Sequence, residues 1–359
     1  MQVLKMKKFS SPVMLQGAHA SPYTRKALGV LRYRRIPYRF IIGIPGVMTE
    51  SGHIDSASLP AAKPSLLPTF YTQDGDESVQ AVTDTTPILE QLDKDFSGRS
   101  VHPSEPVLNF INYVLEDYAD EWLTRCMFHF RWAFEADIEK ASTLLPLFSS
   151  TKLTPDVAKQ MKDHFSALQT SRLYVVGSNE VTAPLIESSY VRLLGLLEKN
   201  FQSHAFLMGA RPGSSDFGFF GQLTCLTHFD PTAMALTLEH SPRVYAWTER
   251  AEDLCGYEVQ QTDWLDATEL PDTTIALLQE VSRTHMPQLL ANAKALKAGE
   301  KNFETEIDGL IWSQPSFPYQ GKCLGWIREK YNFLQGENLA VTSGILAASG
   351  LLPLVEEPI

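Results

Sequence analysis

Cysteine is scarce in this chain, which has four cysteines among 359 residues: Cys126, Cys225, Cys255 and Cys323. They lie far apart, and no two of them form a CxxC pair. This spacing argues against a disulfide framework and against a zinc site, because both need cysteines that are grouped in the sequence. We therefore expect free thiols, no bound metal and a reducing compartment, which predicts a cytoplasmic protein.

Positive charge is also under-represented. The chain has 31 Lys and Arg residues against 42 Asp and Glu residues, a formal net charge of −11. An acidic balance argues against a nucleic-acid partner, because phosphate binding needs a patch of Lys and Arg. The one basic cluster lies on or just after a predicted helix and is interpreted as a solvated helix face. It consists of Arg32, Arg34, Arg35 and Arg39.

Long apolar runs are missing as well. The most apolar stretch, Leu339 to Val355, is interrupted by polar residues, glycines and Pro353. It falls short of the roughly 20 residues that a membrane-spanning helix needs. The basic N-terminus lacks the apolar core of a signal peptide. We predict no membrane partner, and we expect the Leu339 to Val355 segment to pack on the core.

What the sequence does contain is ordinary globular composition, with 44% hydrophobic and 20% charged residues. Strand and helix signals alternate in the first 97 residues. Val13 to Gln16 and Tyr38 to Ile42 suit strands, and Ser21-Pro22 opens a helix between them, because Ser is a good N-cap and Pro fits the first helical turn. A hairpin is predicted around Gln73 to Asp76, and a helix then begins near Asp84. The order is β-α-β followed by β-β-α.

Helical patterns fill the rest of the chain. A linker is predicted from Gly98 to Pro106, and everything after it is interpreted as helix, including Thr273 to Lys297, where Pro287 should kink or split the helix near His285. We therefore predict three parts. They are residues 1–97, residues 104–259 and a helical C-terminal extension over residues 260–359 that packs on the second part.

Three segments resemble the glutathione transferase superfamily at matching places in the chain. Gly17 to Lys26, with Ser21 before Pro22 and Tyr23, is similar to the family's strand-loop-helix start. Leu67-Pro68-Thr69-Phe70, followed by Asp84-Thr85, looks like the family's cis-proline strand and its acidic-Ser/Thr pair. Gly209 to Phe217 resembles the capping segment of the family's helical domain. The resemblance covers residues 12 to 255 and implies a thioredoxin-like domain followed by a helical domain.

The resemblance implies that Ser21 is the catalytic residue. The nucleophile of glutathione is the thiolate, and a thiol with a pKa near ~8.5 is mostly protonated at neutral pH. A helix N-terminus and a hydroxyl donor both favour the thiolate, and Ser21 is placed to supply both. The alternative is that Ser21 is only an N-cap.

The remaining candidates for glutathione contacts also come from the resemblance. Leu67 and Pro68, with a cis bond, would hold the tripeptide backbone as an added strand. Asp84 would pair with the glutamyl ammonium, and Thr85 with the helix N-terminus would bind the glutamyl carboxylate. Tyr23 is a further candidate, with a core aromatic as its alternative reading. Asp84 and Thr85 could equally be a simple helix cap.

Two positions depart from the family pattern. Leu66 stands where the family often has Lys or Gln, so the usual partner of the glycyl carboxylate is missing, and His53 or Lys63 would have to replace it. Gly213 stands where the family has Ser or Thr three residues before the capping Asp216. Asp216 is expected to be buried and hydrogen-bonded to helix N–H groups.

An aromatic-rich stripe near the start of the helical part is the candidate acceptor site, with core or dimer packing as the alternative. From it we single out Phe128, Arg131 and Trp132; a buried Arg usually has an anionic partner. The resemblance implies an enzyme that uses glutathione as co-substrate against an electrophilic small molecule, and a homodimer. The alternatives are a non-catalytic binding or interaction protein with this fold and a glutathione-dependent isomerase or ether-cleaving enzyme.

Overall fold

The predicted strands near the start of the chain form one four-stranded sheet. The computed structural model describes residues 8–43, 58–72 and 78–356. The strands are β1 (Val13–Gly17), β2 (Tyr38–Ile42), β3 (Thr69–Thr72) and β4 (Gln80–Val82), and the helices of this part are α1 (Pro22–Tyr33) and α2 (Thr85–Asp95). The sheet order is β2-β1-β3-β4, with β1 and β2 parallel and the other pairs antiparallel. This is the predicted thioredoxin-like order; the predicted turn over Gln73 to Asp76 lies outside the described residues.

The second part of the chain is helical in the described residues. Its helices are α3 (Pro106–Tyr118), α4 (Thr124–Ala133), α5 (Glu135–Ser149), α6 (Pro155–Thr170), α7 (Ala183–Ser203), α8 (Ser214–His228), α9 (Pro231–His240) and α10 (Pro242–Arg250), with a 3-10 turn at Leu173–Val176. A π-helical turn, Ala119–Leu123, joins α3 to α4. A π turn breaks the regular i to i−4 ladder and is often found at functional sites.

Helix α8 contacts α1 at very short range, and glycine makes this possible. A Cβ atom on Gly221 would lie 2.4 Å from the carbonyl oxygen of Pro22. Any larger residue would push the first turn of α1 away from α8. The position of the β1–α1 loop therefore depends on the helical part of the chain.

Asn112 of α3 caps helix α8 from outside. Its Oδ1 accepts from the N–H of Ser215 at 3.0 Å, and its Nδ2 donates to the Ser214 hydroxyl at 2.7 Å. A Cβ atom on Gly213 would lie 2.3 Å from the same Oδ1. The glycine that departs from the family pattern thus makes room for a cap supplied by another helix.

Asp216 is buried, as expected, and accepts two backbone hydrogen bonds. They come from the N–H groups of Leu207 and Gly213, at 2.7 and 2.9 Å. Burial raises the pKa of Asp216 to about 7, and these backbone donors oppose that rise. The donors are the preceding loop and the N-cap residue, so Asp216 ties this loop to the start of α8.

The C-terminal extension contains a β-hairpin that the sequence analysis missed. Its elements are a 3-10 turn (Gln261–Asp263), α11 (Asp272–Glu280), a π turn (Val281–His285), α12 (Met286–Ala298), β5 (Asn302–Ile307), β6 (Leu310–Pro315), α13 (Pro318–Asn332), α14 (Gly336–Ala348) and α15 (Leu352–Glu356). The prediction that everything after the linker is helix was wrong here. Asp308 and Gly309 form the turn with φ of 52° and 76°, a two-residue Asp-Gly connection typical of hairpins.

Pro287 interrupts the predicted Thr273 to Lys297 helix as expected. The π turn ends at His285, and α12 begins at Met286. A proline lacks the N–H that would continue the ladder, so the preceding turn widens. The chain remains helical across this point.

The extension packs its largest side chains against the second part of the chain. Trp312 of β6 is fully buried, with its ring centroid 5.4 Å from that of Trp122. Tyr331 of α13 contacts Phe110 of α3 at 5.9 Å. Among the described residues, no helix combines the length and apolar character needed to cross a bilayer.

Candidate functional site

Ser21 lies where β1 passes into α1. It is half-buried and has extended backbone angles, and its Oγ accepts from the N–H of Thr24 at 3.3 Å. Ser21 is therefore the N-cap of α1, as the alternative interpretation predicts. A serine hydroxyl has one proton to donate besides its acceptor lone pairs, and the cap uses only the acceptor side.

Tyr23 connects the first domain to the π turn. Its hydroxyl donates to the carbonyl oxygen of Asp120 at 2.7 Å and is 2.9 Å from the Thr124 hydroxyl. Burial raises the pKa of Tyr23 well above its usual range, and the nearby Glu121 carboxyl adds to the rise. A π turn leaves carbonyl groups outside the regular ladder, and Tyr23 binds one of them. This placement favours the core-aromatic reading over a glutathione contact.

The Leu67–Pro68 peptide bond is cis, as expected. Pro68 is buried at the start of β3, Leu67 is half-buried, and Leu66 is 50% exposed. The Thr69 hydroxyl donates to the Leu66 carbonyl at 2.8 Å, which fixes the backbone just before the strand. Lys63 is exposed, and His53 lies outside the described residues.

Asp84 and Thr85 are the first residues of α2, and Asp84 has an unusual backbone. Its φ of 84° and ψ of 103° lie in a region that non-glycine residues rarely occupy. Its side chain makes no capping hydrogen bond to the helix. Thr85 is buried. Strained backbone of this kind concentrates at ligand sites, where the surrounding structure maintains it.

The side chain of Asp84 is bound by the C-terminal extension. The Tyr319 hydroxyl, on the first turn of α13, donates to Asp84 Oδ2 at 3.0 Å across 235 positions of sequence. The sequence analysis missed Tyr319 as a site residue. No local signal in the sequence links Tyr319 to Asp84.

A buried ionic cluster contacts the first turn of α2. Lys26 of α1 lies 2.6 Å from Glu116 and 2.5 Å from Asp120, and the Thr86 hydroxyl donates to Glu116 at 3.0 Å. Burial lowers the pKa of Lys26, but Asp120 and Glu116 outweigh it and raise the net value. Burial raises the pKa of Asp120 to about 7 against the opposing effect of Lys26. The cluster thus joins α1, α2 and α3.

Two more carboxyl groups of this region contact the extension. His285 Nε2 is 2.8 Å from Asp117, and the Gln320 amide donates to Glu121 at 3.0 Å. Burial raises the pKa of Glu121 to about 8, Asp117 adds to the rise, and the Gln320 bond opposes it. Together with Asp84, three carboxyl groups face polar side chains from the last hundred residues.

Arg131 is held by contacts within the protein. It is buried and binds Asp230 through Nε at 2.8 Å and Nη2 at 3.1 Å, and its Nη1 donates to the Ala20 carbonyl at 3.2 Å. The expected anionic partner is therefore Asp230. The guanidinium thus ties the residue before Ser21, on α1's side, to α4 and to the N-cap residue of α9, which favours a packing role, and the assignment of Arg131 to the acceptor site stays a prediction.

The two aromatic candidates beside Arg131 differ in exposure. Trp132 is 3% exposed, whereas Phe128 is half-buried, and their ring centroids are 6.4 Å apart. The burial of Trp132 favours the core reading for that residue. Phe128 stays a prediction for the acceptor site. Within the part of the chain that the structure describes, no group of three or more His, Cys, Asp or Glu side chains is arranged to hold a metal.

Comparison with known families gives a match for the first domain. Residues 15–100 match the family described as glutathione S-transferase, N-terminal domain. This part of the chain is therefore similar to the N-terminal domain of glutathione transferases. The match includes Ser21, Leu67, Pro68, Asp84 and Thr85, so the resemblance on which these candidates rest is confirmed at the level of the domain. A comparison with curated proteins finds no similar protein.

Several solved structures are similar at low identity. A Tau class glutathione S-transferase from mango, Mangifera indica, is 17% identical with a TM-score of 0.38, covering 74% of this chain and 98% of that one. A GST-like protein from Pseudomonas syringae is 15% identical with a TM-score of 0.39, covering 73% and 78%. A glutathione transferase family member from Pseudomonas fluorescens is 15% identical with a TM-score of 0.34, covering 67% and 92%. These TM-scores are low, and the similarity to glutathione transferases rests on the match over residues 15–100.

Proposed function

We propose that this protein is a glutathione transferase-like enzyme that activates the thiol of glutathione for attack on an electrophilic small molecule. The observation that carries the proposal is the position of Ser21. It is a half-buried hydroxyl at the N-terminus of α1, in the loop that follows β1, within the residues that match the glutathione S-transferase N-terminal domain.

Ser21 would stabilise the thiolate in two ways. The N-terminus of α1 presents unpaired N–H groups and partial positive charge, which favours an anion. The Ser21 proton, which the cap to Thr24 does not use, would donate to the sulfur. The cap also holds the oxygen in place, so the structural and catalytic readings of Ser21 are compatible.

The rest of the tripeptide would lie along the edge formed by β3 and α2. Leu67 and Pro68 would align its backbone, Thr85 and the N-terminus of α2 would bind the glutamyl carboxylate, and Asp84 would pair with the glutamyl ammonium. Leu66 is exposed and offers no charge to the glycyl carboxylate. Lys63, exposed three residues earlier, is the described residue that fits this role by charge.

The same first site would serve the two alternatives. A glutathione-dependent isomerase or ether-cleaving enzyme would also need the thiolate, whereas a non-catalytic binding protein would need only the tripeptide contacts. We further propose the boundaries 1–97, 104–259 and 260–359, a cytoplasmic location and a homodimer. Sedimentation of the purified chain tests the dimer.

Ser21→Ala tests the proposed function. We expect conjugation of glutathione to a model aryl halide to fall on the order of a hundredfold, the effect of removing one hydrogen-bond donor to a developing or bound anion. Glutathione binding, measured by calorimetry, should persist. The variant also loses an N-cap, worth ~1 kcal/mol, so assays belong well below its unfolding temperature.

Ser188→Ala is the matched control, because Ser188 is exposed on α7 far along the chain from Ser21. It should conjugate at the wild-type rate. Failure of the wild-type protein to bind glutathione would contradict the proposed function. Binding with no conjugation in the wild type would leave the non-catalytic alternative.

A further inference from the structure

The C-terminal extension reaches the predicted glutathione site through one side chain. Tyr319 donates its hydroxyl proton to Asp84 Oδ2 at 3.0 Å. Asp84 makes no capping bond to its own helix, and its backbone has a positive φ. The orientation of this carboxylate therefore depends on a residue that is 235 positions away.

Tyr319 is itself held firmly. The residue before α13 is fixed by Asn292, whose side chain accepts from the Phe317 N–H at 2.7 Å and donates to the Phe317 carbonyl at 3.0 Å. The Tyr319 ring contacts Trp326 edge-on at 6.2 Å. Gln320, the next residue, is buried and donates to Glu121. A side chain anchored on several sides can hold its partner in one geometry.

The far end of α13 is anchored on the same helices. Lys330 lies 2.5 Å from Glu90 of α2 and 4.4 Å from the ring centroid of Tyr113 of α3. Helix α13 therefore spans from the first turn of α2 to its middle. A movement of α13 would change the position of Tyr319 relative to Asp84.

The groups around Asp84, including the Tyr319 hydroxyl, set the pKa of the Asp84 carboxyl. Burial raises the pKa of the Asp84 carboxyl, the Tyr319 bond, Lys26 of α1 and the backbone N–H of Thr86 lower it, and Glu116 of α3 raises it. Cys323, one turn along α13, also interacts with Asp84. A carboxylate offers roughly four lone-pair directions. With one of them taken by Tyr319, others remain for an ammonium group.

We propose that Tyr319 is a positioning residue of the glutathione site: its hydrogen bond orients the Asp84 carboxylate, so that the C-terminal extension completes the subsite for the γ-glutamyl ammonium. This rests on the proposed function, because it assigns Asp84 to that ammonium. It gives the extension a role in ligand binding besides packing.

Tyr319→Phe tests the proposal, since it keeps the ring and removes the donor. Calorimetric titration with glutathione should show affinity reduced about tenfold, near the low end of what a hydrogen bond to a charged group contributes. The loss should be larger at mildly acidic pH than at neutral pH, because the carboxyl of Asp84 then protonates more readily. Cysteinylglycine, which lacks the glutamyl residue, should bind both proteins equally.

Tyr331→Phe is the control on the same helix, because its hydroxyl pairs with Ser343 at 2.8 Å instead. It should bind glutathione as the wild type does. Unchanged affinity and pH dependence in Tyr319→Phe would overturn the proposal and leave the proposed function standing. An equal loss in both variants, or an equal loss for cysteinylglycine, would also overturn it, because the effect would then be a general loosening of α13. A wild-type protein that does not bind glutathione would refute the proposed function and this inference together.

Discussion

The N-terminal domain and the C-terminal extension meet at Asp84, but they reach it by different means. In the domain, Asp84 is the N-cap residue of α2, two positions after the end of β4, so local chain geometry places it. In the extension, Tyr319 arrives from α13 after hundreds of intervening residues. The domain supplies the predicted site residues, and the extension supplies polar partners for three carboxyl groups, Asp84, Asp117 and Glu121. We propose that the two regions contribute to one site, and substitutions on either side test whether they depend on each other.

The largest loss of stability is expected when Lys26, in α1 of the N-terminal domain, is replaced. Lys26→Met leaves Glu116 and Asp120 buried without their cation. Removing one partner of a buried ion pair costs about 3–5 kcal/mol, so the free energy of unfolding in a chemical denaturation experiment should fall by that amount. Lys159→Met, which breaks an exposed pair with Asp163, should leave the midpoint unchanged. A small effect at Lys26 would mean that the cluster is not what joins the domain to α3.

Replacing Trp312 tests how much the C-terminal extension contributes to the stability of the whole chain. Trp312→Ala removes a fully buried ring that packs on Trp122, and it should lower the free energy of unfolding by about 3 kcal/mol in a single transition. Ile311→Ala, at a 50% exposed neighbour on the same strand, should have little effect. Two separate transitions, with only one sensitive to Trp312, would show that the extension folds independently of the rest.

Replacing Glu121 should change the free energy of unfolding less than these substitutions do, and the change should depend on pH. The pKa of Glu121 is raised from 4.5 to about 8 by burial, so its protonated form is favoured in the folded state. Its contribution to stability is full below about pH 4.5 and is lost as the pH rises through about 8. Glu121→Gln should remove this loss, so the free energy of unfolding of the variant, relative to that of the wild type, should rise from acidic to alkaline pH when both proteins are denatured at both pH values.

Glu239→Gln, on the exposed face of α9, is the control for the charge change itself. It should keep the wild-type pH dependence. If Glu121→Gln does the same, the pKa of Glu121 is not raised in the folded protein, and the account of this carboxyl is wrong.

Sequence reasoning recovered the parts of the fold that depend on local chemistry. Ser21-Pro22 begins a helix because a side-chain acceptor and a preset φ act within one turn. Pro287 widens a helix because its ring and missing N–H act on the preceding turn. The hairpin at Asp308-Gly309 also carries a local signal, the two-residue Asp-Gly turn. The sequence analysis missed this hairpin because it predicts helix for the whole region around the turn.

The site itself was only partly predictable. Ser21, Asp84 and Thr85 follow from their order in the first domain, which the family match covers. The roles of Tyr319 and Arg131 depend on tertiary contacts: Tyr319 meets Asp84 only after α13 has packed on α3, and Arg131 meets Asp230 across two helices. Neither pair produces a recognisable periodicity or spacing in the sequence, because several helices or strands separate the two partners.

A crystal structure of the full chain with glutathione bound tests the central claim most directly. The account predicts the glutathione sulfur within hydrogen-bonding distance of Ser21 Oγ and the glutamyl ammonium on the Asp84 carboxylate, with the Tyr319 hydroxyl still bound to Asp84. Glutathione bound elsewhere, or bound with Tyr319 displaced from Asp84, would contradict it.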